Sequence, residues 1–103
     1  MAEQTFSPIE AHRWFAVEMN NQAWDLLESD SRTDQDNELL RNTAHASWRH
    51  WWEVGTSINQ QRAECLLTQV HAALGESQPA AHHARRALAL GESAADSMQP
   101  LDW

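Results

Sequence analysis

Apolar residues recur along most of this chain at spacings of three and four, the mark of helices that bury one stripe. The first stripe runs Ile9, Phe15, Ala16, Met19, Ala23, Leu26 and Leu27. Ser7-Pro8-Ile9-Glu10 precedes it as a capping box with proline at the first helical position, which predicts a helix over 8–28. The polar run Ser29-Asp30-Ser31-Arg32-Thr33 reads as a loop. Thr33 can cap a second helix over 34–54, with Asp34 and Asp36 in its electropositive first turn. Its stripe is Leu40, Ala44, Ser47, Trp48, Trp51 and Val54, and Gly55 is a natural stop.

Ser57-Ile58-Asn59-Gln60 reads as a further capping box opening a helix over 58–74. Ala63, Leu66, Leu67, Val70 and Leu74 form its inward face, and Gly75 ends it. A fourth helix over 78–90 starts at Ser77 with Pro79 in its first turn. It carries the small-residue face Ala80, Ala84, Ala87 and Leu88, and Gly91 is expected to close it. From Glu92 to Trp103 the periodicity is weak, so 91–103 is expected to be a weakly ordered or capping tail.

Four helices joined by short turns pack as antiparallel neighbours. A plain four-helix bundle and a stack of helix pairs both satisfy that rule. The stretch from Ala81 to Leu88 lies over Ala44 to Trp51 at an offset of about 37 residues. That offset is near the roughly 34 of helix-turn-helix solenoids. The expectation is therefore one all-α domain over 1–103, built from a helix pair at 8–54 and another at 58–90.

Residues 61–92 carry a family resemblance. Leu67 and Thr68, then His71, Gly75, Ala80 and Ala87 resemble the pattern of a tetratricopeptide repeat, with His71 where that family has a tyrosine and Glu92 where it has its closing proline. The resemblance implies antiparallel helix pairs stacked as a short right-handed superhelix. It also implies a groove lined by the first helix of each pair, which puts Arg62, Cys65, Gln69 and Ala72 on the concave side, with Arg62 as charge partner for an acidic group. The string His45-Ala46-Ser47-Trp48-Arg49-His50-Trp51, with Val54-Gly55-Thr56 and Asn59, resembles a group of uncharacterised bacterial TPR-like proteins. Those relatives continue into a further helix after a segment like Pro100-Leu101-Asp102-Trp103, so a truncated or naturally short member is expected.

Charge narrows the function. The 103 residues carry fifteen acids against seven basic residues, a formal net charge of -8. All seven bases are arginine. Such a balance disfavours nucleic acid and anionic membranes, which require cationic patches. The lack of lysine removes both a Gly-Lys-Ser/Thr phosphate loop and Schiff-base chemistry. The single thiol, Cys65, excludes an internal disulfide and points to a reducing compartment. With no basic-then-apolar leader and no spanning apolar run, a cytoplasmic location is expected.

Six histidines invite a metal reading. On one helix, however, His45 and His50 diverge by about 140°, and His82 and His83 are adjacent, so neither pair matches a His-x-x-x-His chelate. Only a site assembled across helices remains, and the expectation is no metal, no cofactor and no enzymatic activity. Cys65 lies mid-helix, away from the N-terminal field that activates thiols, and reads as a small packed residue.

Tryptophan is the conspicuous excess, six in all. Trp51 and Trp52 diverge by about 100°, so both cannot be core. His45, Trp48, Arg49 and Trp52 form one stripe. Indole beside guanidinium is interface-anchor chemistry, although packing against the next helix pair suits the stripe as well. The sequence points to a non-enzymatic module binding a protein or peptide through His45, Trp48, Arg49, Trp52, Arg62 and Gln69. A histidine-based metalloprotein or small enzyme, and a purely structural self-associating subunit, are the alternatives. A homodimer is expected, because two helix pairs are fewer than the three or so that a repeat stack needs. Either a second chain or the apolar tail residues Met98, Leu101 and Trp103 would cover the open face.

Overall fold

In the computed structural model, which describes residues 5–94, four helices follow one another: α1 (Pro8–Leu27), α2 (Asp34–Val54), α3 (Ser57–Ala73) and α4 (Ser77–Ala94). Met98 and Pro100–Trp103, for which a capping tail is expected, lie outside the described residues. The protein is all-α. α1 packs along α2 and α3 along α4, and α2 meets α3 to join the two pairs, as in a short helical-repeat arrangement.

Local chemistry sets these boundaries. At α1, Ser7 Oγ accepts from Glu10 N at 3.1 Å while Glu10 reaches back to Ser7 N. Thr33 and Asp36 do the same for α2. Arg32 bridges the pair: its Nη1 donates to the carbonyls of Leu27 at 3.0 Å and Ser29 at 3.1 Å, and its Nε to Asn37 Oδ1 at 2.8 Å. A cation thus satisfies carbonyls that the end of α1 leaves open. α3 begins one residue earlier than expected, because Thr56 rather than Ser57 is the cap, and its N–H donates to Asn59 Oδ1 at 3.0 Å.

Gly75 takes φ +75°, the left-handed turn that ends α3. Gly91 does not close α4, which runs on to Ala94. A Cβ there would stand 2.6 Å from Gln61 Nε2, so the missing side chain makes room for α3.

The core is Ala23, Leu40, Ala44, Leu66, Leu67 and Val70, with Trp24, Leu26, Leu27, Trp48 and Leu74 packed on it. The expected stripes of α2 and α3 supply most of it. Two helices depart from expectation. Ile9 and Phe15 of α1 are exposed, and the fully buried residues of this helix are Ala16 and Ala23. On α4, Ala87 is buried but Leu88 and Ala84 are exposed, because α4 is an outer helix packed on one side by α3.

Candidate metal centre

Three helices send polar side chains into one region between the helix pairs. α2 contributes His45, Trp48 and Trp52 at helical spacing. α3 contributes Glu64 and His71, seven apart and so on one face, and α4 contributes His83 and Arg86. Glu64 and His71 stand among the apolar inward residues of α3, which carries both into the interior.

Glu64 is fully buried and well satisfied. Its carboxylate accepts from Trp48 Nε1, from His83 Nδ1 at 3.0 Å, and from Arg86 Nε at 3.2 Å to each oxygen. A buried carboxylate persists only when paired and hydrogen-bonded in this way. Arg86 also lies over the Trp52 ring, 5.4 Å from its centroid.

His71, almost entirely buried, is held by a second carboxylate. Its Nδ1 lies 2.8 Å from Glu76 Oε1, and Glu76 is in turn fixed by Arg41, whose Nη2 is 3.0 Å from Oε2. Arg41 and then His71 hold the Glu76 carboxyl below its ordinary value by hydrogen bonding.

An ionised carboxylate accepts only, so each of these contacts places the proton on Nδ1 of its histidine. In the neutral form of each ring that arrangement leaves the lone pair on Nε2. His45 Nε2 approaches His71 Nε2 to 2.9 Å. Ring nitrogens of His45, His71 and His83 all lie within 4.8 Å of one another. The His71 and His83 rings are stacked, 5.6 Å between centroids, and His45 meets both edge-on. Burial, and then the neighbouring His71 and His83, push the His45 pKa down, so His45 favours the neutral state that ligates metal.

The expectation that no metal is held rested on spacing within single helices. His45 and His50 do diverge: His45 points to α3 and α4, while His50 pairs with His12 of α1, their Nδ1 atoms 2.8 Å apart. The three-histidine cluster takes one residue from each of three helices, a combination that no single-helix spacing displays.

The residues named from sequence as a binding set are divided by the fold. His45, Trp48 and Trp52 face the second helix pair, and the two indoles lie 5.5 Å apart. Arg49 is exposed and pairs with Glu53 on its own helix. Arg62, Cys65, Gln69 and Ala72 share a solvent-facing side of α3, away from the cluster. Cys65 is therefore exposed rather than packed, and it borders a shallow groove with Gln69, Ala84 and Leu88. Partial desolvation against the helix surface and the Glu64 charge raise its pKa, so it is not an activated thiol. His71, His83, Glu64 and Glu76 were not singled out from sequence as site residues. The available signal was a carboxylate and an imidazole on an otherwise apolar helix face.

No family model, curated protein or solved structure matches this chain.

Proposed function

We propose that the protein binds one divalent transition-metal ion of the zinc class through His45, His71 and His83. One observation carries the reading: three imidazole nitrogens from three helices converge within 4.8 Å, and Nδ1 of the His71 and His83 rings is held by a carboxylate. Metal-bound histidines characteristically donate their other N–H to a carboxylate, which fixes the tautomer and raises the basicity of the ligating nitrogen. Here Glu76 serves His71 and Glu64 serves His83. Imidazole-only ligation suits zinc, copper, nickel and cobalt rather than calcium or magnesium. Three protein ligands leave a fourth position on a tetrahedral ion for water.

Isothermal titration with zinc chloride, on protein stripped with chelator, tests this. One site per chain is expected. His71→Ala should abolish it, and Glu76→Gln should weaken it about 10- to 100-fold. Heat of binding that is unchanged in His71→Ala would overturn the assignment.

A second reading, a non-enzymatic helical interaction module resembling a tetratricopeptide repeat, is supported by a different surface. Phe6, just before α1, and Ile9, Trp14 and Val17 of α1 are exposed to solvent, and clustered apolar exposure of this kind accompanies protein–protein contact.

A further inference from the structure

The two halves of α1 are held against α2 in different ways. Ala23 belongs to the core, and Ala16, nearer the start, is buried with its carbonyl accepting from Ser47 Oγ at 2.8 Å. Ahead of Ala16 apolar burial stops. Ala11 and His12 are half-buried, and the other side chains from Pro8 to Phe15 are exposed. His12 lies one turn before Ala16 and His50 nearly one turn after Ser47, so their contact continues the same line along an antiparallel pair. The two Nδ1 atoms stand 2.8 Å apart, and the Phe15 ring stacks on His50, 5.3 Å between centroids. The charged groups that act on His50 besides His12 are Arg49 and Glu53 of its own helix, which pair with each other, and Glu53 also acts on His12.

We infer that the His12–His50 pair is a pH-operated latch, which holds the first two turns of α1 to α2 through one added proton and releases them on the second. Two ring nitrogens this close hold one proton between them. With both rings neutral, one is the Nδ1–H tautomer and donates, and the other accepts through its lone pair. A first added proton enters at Nε2 of the donor ring, keeps the same bond and makes it charge-assisted. A second has to enter at Nδ1 of the acceptor. Both nitrogens then carry hydrogen, no lone pair remains between them, and two like charges face each other. The freed turns have no buried side chain to hold them, while Ala16 and Ala23 keep the rest of α1 in place. A short helical segment without tertiary packing is marginal, so these turns fray once released. The latch shares no residue with the cluster of His45, His71 and His83 and is independent of the metal reading.

Amide hydrogen exchange on the full chain in chelator tests it, read as protection relative to the unstructured rate at each pH. In the wild type, protection of amides 12–16 should fall between about pH 7 and 5, by up to about tenfold per pH unit, because opening takes up one proton. Amides 20–27 of the same helix should not follow. His12→Gln leaves a side chain that can still hydrogen-bond His50 but takes no proton, so the pair never carries two charges. Protection of amides 12–16 in that variant should be flat over the same range. Wild-type protection that is independent of pH overturns the inference. So does a fall of equal size in His12→Gln, or a fall shared equally by amides 20–27 and by α3, which is global unfolding rather than release of a latch.

Discussion

His45 and His50 sit on one helix and face opposite ways, yet both have their protonated forms disfavoured. Burial is the first cause for each. His71 and His83 add to it at His45, and His12 and Arg49 at His50. A histidine whose folded pKa lies below the ordinary 6.5 takes its proton more readily in the unfolded chain. Its contribution to stability is complete above 6.5 and is lost as the pH falls through the unfolded and then the folded value. The metal-free protein should accordingly lose stability between pH 7.5 and 5. That window lies above the range in which Glu76 protonates, since Arg41 holds its carboxyl below 4.5. Urea midpoints measured across it should fall with pH in the wild type and flatten in His45→Gln/His50→Gln. A midpoint that rises as the pH is lowered would contradict the assignment of these two rings as neutral. Of these residue-level features, only the divergence of His45 from His50 was legible in the sequence. What each ring meets is a tertiary fact.

At the scale of the helix, sequence pattern was a good guide where a local signal decides the outcome. The Ser7/Glu10 and Thr33/Asp36 boxes fixed two N-termini, and the apolar stripes of α2 and α3 located the core. Pattern was a poor guide on α1 and α4. Both are outer helices, and the large residues Ile9, Phe15 and Leu88 extend the periodicity without being buried. Glycine shows the same limit. Gly75 and Gly91 look alike as terminators, but only Gly75 has a positive φ. Gly75→Ala should therefore destabilise the protein by roughly 1–2 kcal/mol, the cost of a left-handed alanine. Gly91→Ala should instead stabilise it by about 0.5–1 kcal/mol through helix propensity, once the flexible end of Gln61 moves aside. Thermal melts of the two variants check both signs. Equal destabilisation would mean that Gly91 is a true stop.

Over the whole molecule, two stacked helix pairs create what neither pair holds alone. The cluster needs α2 from the first pair and α3 and α4 from the second, so the contact between α2 and α3 positions it. No residue run in the sequence spells a ligand motif, because His45, His71 and His83 lie 26 and 12 positions apart, each on a different helix. The all-α class was legible, and the centre was not. Within the described residues no helix is long and apolar enough to cross a membrane. The most direct test of the account is anomalous diffraction at the zinc edge, from crystals grown with one equivalent of zinc. The account expects a single peak between α2, α3 and α4, about 2.0–2.1 Å from a ring nitrogen of each of His45, His71 and His83. A peak at His12 and His50 instead, or His45 and His71 still hydrogen-bonded to each other with no metal among the three rings, would contradict it.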